Sequence, residues 1–233
     1  RLYLDQGLNT KNNRVIMAGA NNEIFNNRGL DIWNKNLKLK IVTHHWGANW
    51  NKGFDAYSKL DDLLSFEDWK EKIDFTYIGN LPKKFQFKNA QFVSPLSGID
   101  LANKLKENHL YITGSLNEPS GNHHIEAAQC GLPLLYINSG GMPEYCADYG
   151  IEFNIDNLEI KLNEMMEDYA NYFNKLKDYR FNSQIMSREY EELFIHMINN
   201  KEDYLSKRTI DEKKNLITSF FYSAKKSFKL KNK

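Results

Sequence analysis

Two glutamates, Glu118 and Glu126, stand eight positions apart and flank a segment of small residues at the start of a predicted helix. A helix start offers free N–H groups and the positive end of the helix dipole, which together favour an anion such as phosphate. Gly121 lies at this start and has no side chain to block a ligand. Carboxylates on either side can accept hydrogen bonds from the hydroxyls of ribose or of a sugar. The simpler alternative is that Glu118 only complements the helix dipole and that Glu126 is a solvated helix residue.

A lysine in a second loop, residues 46–53, suggests a partner for the same anion. Gly47 would let the backbone of this loop approach a ligand, and Lys52 opens the following predicted helix. From that position the ammonium group of Lys52 can point at a phosphate. Lysines before glycines are also common on surfaces, so this loop indicates phosphate binding only together with the others.

A third loop, residues 138–146, contains the pair Gly140 and Gly141 and then Glu144 at the start of a short predicted helix. One interpretation is a plain turn from strand to helix. The other is a loop that closes over a bound sugar, which Glu144 helps to hold.

These loops are positioned by an alternation of strands and helices along the chain. Strands are predicted at residues 14–18, 38–45, 74–79, 87–95, 109–114, 132–137 and 151–153. Helices are predicted at residues 54–66 and 97–108, in a segment ending at 131, within 139–150, and over 157–199 with a break near 180–182. Such alternation predicts an α/β fold, a Rossmann-like parallel sheet with helices on both faces. In this fold ligands bind at the carboxyl ends of the strands, where each of the three loops begins.

The composition of the 233-residue chain is that of an ordinary globular protein, with 41% hydrophobic residues, 26% charged residues and a formal net charge of +1. Because there is no basic excess, nucleic acid is not expected as a partner. Cys130 and Cys146 form no disulfide framework and are expected to be buried, reduced thiols of a cytoplasmic protein. No apolar run of the sequence approaches the ~18 residues needed to span a bilayer.

The C-terminal segment, residues 201–233, is predicted to be a basic amphipathic helix or tail. From Lys213 onward it carries seven lysines and no acidic residue, while its apolar residues fall on one helical face. Such a helix can dock on the rest of the protein or lie on an anionic membrane surface. The protein is therefore expected in the cytoplasm, either free of the membrane or at its surface through residues 213–233.

Residues 117–133 resemble the Glu-x7-Glu element of family 4 glycosyltransferases, which are retaining enzymes with two facing Rossmann-like domains (the GT-B fold). In that family the second glutamate opens a run of the form Glu-Ala-x-Ala-x-Gly-x-Pro, and a Gly-Gly-x-Pro-Glu turn follows. Here residues 126–133 read EAAQCGLP and residues 140–144 read GGMPE. The pair at 52–53 is similar to the Lys-Gly of the family's C-terminal domain, and residues 15–25 resemble its interdomain stretch.

This resemblance implies that residues 14–200 are the nucleotide-sugar-binding, C-terminal domain of such an enzyme, and that residues 1–13 are a linker or a remnant of the N-terminal acceptor domain. It implies two catalytic residues, Lys52 on the donor diphosphate and Glu118 on the transferred sugar. The donor-binding residues that it implies are Gly47, Asn49, Lys52, Val93, Leu96, Glu118, Gly121, Asn122, His123 and Glu126. Among these, Glu126 would bind the ribose, and Val93 and Leu96 would lie near the base. The sugar loop that it implies contains Gly140, Gly141 and Glu144.

The resemblance further implies a nucleoside-diphosphate sugar as co-substrate, no cofactor and no metal, and an acceptor that is a glycan, a lipid or a small molecule. The family's arginine before the lysine is missing here, and His45 or Asn49 is its candidate replacement. The histidine pairs at 44–45 and 123–124 are not expected to bind a metal, because adjacent histidines on a strand point apart. Two other functions stay open: a non-catalytic nucleotide-sugar-binding subunit of a split transferase, and a nucleotide-sugar epimerase of the same architecture, which the order of the motifs disfavours.

Overall fold

A computed structural model describes residues 14–30 and 32–207 of the chain. The predicted remnant or linker at 1–13 and the predicted lysine-rich segment from Lys213 lie outside the described residues. Among the residues that are described, no helix has the length and apolar character that a membrane crossing requires.

The chain divides into two compact units, residues 1–189 and residues 190–233. The first unit contains the sheet and the residues predicted to bind a ligand. The second unit, in its described part, is helical.

Six parallel strands form one sheet in the first unit. They are β1 (Leu39–His45), β2 (Ile73–Gly79), β3 (Gln91–Val93), β4 (Leu110–Thr113), β5 (Leu134–Ile137) and β6 (Gly150–Phe153). Their order across the sheet is β3-β2-β1-β4-β5-β6. In this doubly wound order the chain runs outward in opposite directions on the two sides of a switch between β1 and β4. The predicted fold class, a Rossmann-like parallel sheet, is confirmed.

A helix follows every strand of the sheet except β2. The α-helices of the described residues are α1 (Phe54–Leu63), α2 (Glu67–Lys70), α3 (Gly98–Lys106), α4 (Asn122–Gln129), α5 (Met142–Cys146), α6 (Leu158–Lys175), α7 (Ser183–Asn199) and α8 (Lys201–Lys207). Short 3-10 turns lie at Trp50–Lys52 and at Leu176–Asp178. After α4 comes Gly131 with a φ of +91°, a left-handed conformation that ends helices and favours glycine.

Both faces of the sheet are buried, as expected for parallel strands that are almost continuously apolar. Val42 faces one core, which it shares with α3, α4 and α5. Ile41 and Leu110 face the other core, which they share with α1, α2 and α6. Cys130 and Cys146 are buried free thiols of the first core. Burial raises the pKa of the Cys130 thiol to about 12, so it stays protonated at neutral pH.

The predicted strand at residues 14–18 is wrong. The chain there forms no ladder, and the nearest pairing is a single parallel bridge between Ala20 and Asn182. Val15 is 70% exposed, so this apolar run gains too little burial to be held as a strand.

The predicted strand at residues 87–95 is reduced to the three residues of β3. Asp61 explains the difference, because its carboxylate accepts hydrogen bonds from the backbone N–H groups of residues 88–90 at 2.6–2.9 Å. These N–H groups are therefore already hydrogen-bonded to Asp61, and the strand begins only after them. The ring of Phe87 packs against that of Phe75, 5.9 Å away between centroids, in the core beside α1.

Candidate functional site

The candidate site lies where β1 and β4 end side by side. Loops that leave these two neighbouring strands diverge to opposite faces of the sheet, and the crevice between them is the usual ligand site of an open parallel sheet. A cleft of about 380 Å³ opens there. Its walls come from the end of β1, the 3-10 turn at Trp50–Lys52 and the starts of α3 and α4.

Lys52 and Glu118 meet at one wall of this cleft. The Lys52 ammonium donates a hydrogen bond to Glu118 Oε2 at 2.5 Å, and the two side chains are 27% and 15% exposed. Gly53, which follows Lys52 and has a φ of +105°, allows the loop of Lys52 to lie close to the loop of Glu118. A Cβ atom at Gly53 would lie 2.7 Å from the backbone of Gly114, just beyond β4, so a larger residue would push the two loops apart.

Glu126 lies on α4 and reaches His44 at the end of β1. The distance from His44 Nε2 to Glu126 Oε2 is 2.9 Å, and the side chains are 7% and 20% exposed. A carboxylate accepts hydrogen bonds, so the imidazole donates this one through Nε2. The pair ties the second predicted carboxylate to β1, the strand that precedes the loop of Lys52.

Gly121 caps α4 in an extended conformation and is buried. A Cβ atom at this position would lie 2.6 Å from the ring of His123 and 2.9 Å from Cγ of Glu118. Glycine is therefore required here by the protein's own side chains, in addition to any need for room around a ligand. Asn122, the first residue of α4, is exposed at the edge of the cleft.

His45 lines the inner wall of the cleft as a neutral imidazole. Its Nε2 lies 2.6 Å from the hydroxyl of Tyr57. That hydroxyl accepts hydrogen bonds from Thr43 and from the backbone N–H of Gly114, both at 3.2 Å, so it donates its own proton to His45. Burial lowers the pKa of His45 well below its ordinary value and raises that of Tyr57 to about 12. His45 therefore brings no positive charge to a phosphate.

His123 is the neighbouring imidazole and lines the cleft. Its Nε2 lies 3.0 Å from Thr113 Oγ1, and its ring centroid is 4.5 Å from that of His45. Burial, followed by the charge of nearby basic groups, lowers the pKa of His123 well below its ordinary value. It can therefore meet a ligand as a neutral hydrogen-bonding group.

The glycine pair of the third loop packs against the backbone that carries Glu118. Gly140 has a φ of +61°, and a Cβ atom there would lie 2.3 Å from the Glu118 carbonyl oxygen. Gly141 donates its backbone N–H to the same oxygen at 2.8 Å. This loop therefore holds Glu118 in place from behind. Glu144 is exposed and lines a separate cavity of about 540 Å³, together with Arg180.

The remaining predicted residues are more spread out. The predicted residues that line the cleft are Gly47, Lys52, Glu118, Gly121, Asn122, His123 and Glu126. Leu96 lines a small adjoining pocket with Trp46 at the end of β1. Val93 is half-buried beneath it against the core, and Asn49 is exposed before the 3-10 turn.

Sequence reasoning missed His44 as the partner of Glu126. A usable signal was present, since a polar residue at the carboxyl end of an apolar parallel strand faces the ligand crevice of this fold. Ser97 and Ser120, which also line the cleft, carried no comparable signal. Within residues 14–30 and 32–207, no group of three or more histidine, cysteine, aspartate or glutamate side chains is arranged to hold a metal ion.

Comparison with known proteins finds a family that matches part of the chain. Residues 74–184, which run from β2 to the start of α7, match the family described as Glycosyl transferases group 1. This segment therefore resembles the family that the motifs predicted. No curated protein sequence matches the chain significantly.

Solved structures share the fold at low sequence identity. Sucrose-phosphate synthase from Thermosynechococcus elongatus is 16% identical, with a TM-score of 0.61 over 85% of this chain and 56% of that one. HepE from Anabaena, solved in complex with UDP and glucose, is 15% identical, with a TM-score of 0.59 over 82% and 59%. The chain thus spans less than two thirds of either protein. The C-terminal domain of a group 1 family protein, LpcC from Francisella tularensis, is 14% identical, with a TM-score of 0.52 over 74% of this chain and 98% of that one.

Proposed function

We propose that this chain is the donor-binding domain of a glycosyltransferase, which binds a nucleoside-diphosphate sugar for transfer of the sugar, with retention of configuration, to a hydroxyl acceptor. One observation carries the proposal. Lys52, Glu118, Glu126 and the amino end of α4 converge on one cleft at the switch point of the sheet. A cation and a helix start complement the negative charge of a diphosphate. Two carboxylates can accept hydrogen bonds from the hydroxyl groups of the ribose and the sugar on either side of it.

The charges of the cleft indicate how the diphosphate would be held. His45 and His123 are neutral, so the positive partners are the Lys52 ammonium and the N–H groups at the start of α4. Because Lys52 is paired with Glu118, an incoming phosphate would share or replace this partner. The same groups would stabilise the negative charge that develops on the diphosphate as it leaves.

The two carboxylates would then take the hydroxyl groups on either side. Glu118 lies beside Lys52, so it would contact the transferred sugar next to the diphosphate. Glu126 lies farther along α4 toward β1 and would bind the ribose, with the base toward Leu96. The loop at Gly140 and Gly141 would act by supporting Glu118.

The acceptor would be held by a further domain. The match to the C-terminal domain of LpcC covers 98% of that domain and 74% of this chain, whereas the match to sucrose-phosphate synthase covers only 56% of that chain. Holding the acceptor hydroxyl in position against the donor can lower the reaction barrier by roughly 7–11 kcal/mol in well-oriented reactions. We therefore assign binding of the donor to this domain and completion of the reaction to the domain that presents the acceptor.

Calorimetric titration with UDP-, GDP- and ADP-sugars tests the proposal. We expect one of them to bind, and we expect Glu126→Ala to weaken its binding by ~1–3 kcal/mol, the range for losing a partner of buried hydrogen bonds. Glu107→Ala, at the opposite end of the sheet, is the matched control and should leave the affinity unchanged. Absence of binding for the whole panel would overturn the donor assignment, and unchanged affinity in Glu126→Ala would overturn the ribose assignment.

A further inference from the structure

His44 is a buried polar side chain at the end of β1. The residue is 5% exposed, and its Nε2 donates to Glu126 Oε2 at 2.9 Å. Its other ring nitrogen, Nδ1, is buried and has no hydrogen-bond partner among the residues that the structure describes. A buried ring nitrogen without a hydrogen-bond partner is costly, so the bond at Nε2 is the hydrogen bond that the structure gives to this imidazole within its described residues.

Tyr111 on β4 fixes the position of His44. The backbone N–H of His44 donates to the Tyr111 hydroxyl at 3.2 Å, and the two rings pack edge to face with centroids 5.5 Å apart. Burial keeps the pKa of Tyr111 well above its ordinary value, so this hydroxyl remains protonated. The imidazole is therefore anchored to two strands of the sheet before it reaches the helix that carries Glu126.

The bond to His44 engages one of the two oxygens of the Glu126 carboxylate. Oε2 faces the imidazole, whereas the carboxylate as a whole lines the cleft and is 20% exposed. A carboxylate has about four acceptor positions, so engaging one still allows two hydrogen bonds from a vicinal diol. Without the imidazole, the Glu126 side chain could sample several rotamers in the cleft. It would then discriminate less well between ligands with and without a vicinal diol.

We propose that His44 is a positioning residue that orients the Glu126 carboxylate toward the 2′- and 3′-hydroxyls of the donor ribose. This inference rests on the proposed function. It adds that discrimination between a ribonucleotide and a 2′-deoxyribonucleotide depends on the His44–Glu126 pair. The competing explanation is that the pair merely attaches α4 to β1, in which case its loss would weaken the binding of both ligands equally.

The test compares ribonucleoside diphosphates with their 2′-deoxy forms, using uracil, guanine and adenine as bases, by calorimetric titration. The wild type should favour the ribo form about tenfold, as expected for a hydrogen bond to a charged group. His44→Leu, which keeps an apolar side chain in the buried site, should lose most of that preference, as should Glu126→Ala. His44→Gln can place an amide N–H near the position of Nε2 and should retain much of the preference.

His44→Asn gives a second route to the same conclusion, including the case in which the leucine variant does not fold. Its amide lies near the position of Nδ1 and cannot reach Glu126, so it should behave as His44→Leu and differ from His44→Gln. Equal preference in the wild type, the glutamine variant and the asparagine variant would overturn the positioning role. Equal loss of affinity for the ribo and deoxy forms would do the same. A wild type that binds no nucleotide would instead overturn the proposed function.

Discussion

The two ends of the parallel sheet carry cavities of different kinds. At the amino ends of the strands lies the larger one, about 720 Å³, whose lining includes the lysines Lys38, Lys40, Lys70, Lys104 and Lys106. At the carboxyl ends lies the cleft of about 380 Å³. By volume alone, the cavity at the amino end would be the better candidate for a ligand site. The chemistry of the walls instead favours the cleft at the carboxyl end. Fixed polar groups with buried supports distinguish a ligand site from an open, solvated surface.

The ion pairs at the two ends show the same contrast. Lys104 and Glu107, at the amino end, are 2.7 Å apart and are 24% and 60% exposed, so the two pairs differ in the exposure of the carboxylate. In the cleft, Lys52 and Glu118 are 27% and 15% exposed. Water competes with the first pair and much less with the second, so equal short distances do not mean equal coupling.

Acid should reveal the largest difference between the two ends, because three buried histidines with a lowered pKa, His45, His123 and His124, lie at the carboxyl end. Burial lowers the pKa of His124 to about 3, and it also lowers those of His45 and His123. These groups stay neutral in the folded protein and take up protons on unfolding near the ordinary pKa of 6.5. Their contribution to stability is complete above that pH and is lost as the pH falls below it. For His124 this loss should be about 2 kcal/mol at pH 5.

Urea denaturation at pH 8 and pH 5 measures this loss in the wild type and in His124→Gln. The variant should lose about 2 kcal/mol less than the wild type between the two pH values, whatever its stability at pH 8. His196→Gln, at an exposed position of α7, is the control for removal of a histidine. If His124→Gln shows the same pH dependence as the wild type, the burial of this imidazole does not govern the acid response.

Two glycines provide the next comparison. Gly140 at the carboxyl end and Gly29 at the amino end have similar φ values, +61° and +75°. A Cβ atom at Gly140 would lie 2.3 Å from the Glu118 carbonyl oxygen, whereas at Gly29 it would meet no described atom within 4 Å beyond its chain neighbours. Both alanine variants pay about 1–2 kcal/mol for the left-handed conformation. Gly140→Ala should cost about 1–3 kcal/mol more because of the clash.

Urea denaturation gives the stability of both variants, and nucleotide titration gives their affinity. We expect Gly140→Ala to weaken binding as well, because the clash displaces the backbone of Glu118. Gly29→Ala should bind as the wild type does. Equal stability of the two variants would show that the third loop can move away from Glu118 at no cost.

The sequence was sufficient to predict the fold and the cleft but not the pairs within it. Alternating strands and helices, with unusual loops at strand ends, place Lys52, Glu118 and Glu126 together because parallel strands end at one edge of a sheet. Each contact depends on residues that are distant in sequence, however. His44 and Glu126 are 82 positions apart, and only side-chain geometry shows that the imidazole takes one carboxylate oxygen.

Glycines show the same limit. The sequence alone allows two interpretations of the pair Gly140 and Gly141, a plain turn or a loop that closes over a sugar. In the structure, the lack of side chains at these two glycines allows the backbone of residues 118–119 to lie close to them. Such an approach depends on the relative placement of two loops, which no local pattern encodes. The predicted strand at 14–18 was wrong for a related reason, because an apolar run specifies a strand only where a neighbouring strand and a core are available.

The smallest effect should come from the exposed pair at the amino end. A double-mutant cycle on Lys104 and Glu107, with each residue changed to alanine, should give a coupling energy of about 0.2–0.5 kcal/mol. Raising the salt concentration should reduce it further, because exposed charges are screened. The equivalent cycle on Lys52 and Glu118 should give a larger coupling that salt reduces less, since both side chains are mostly buried. Equal couplings with equal salt dependence would mean that water reaches both pairs alike, and the contrast between the two ends of the sheet would then lie in the histidines and glycines alone.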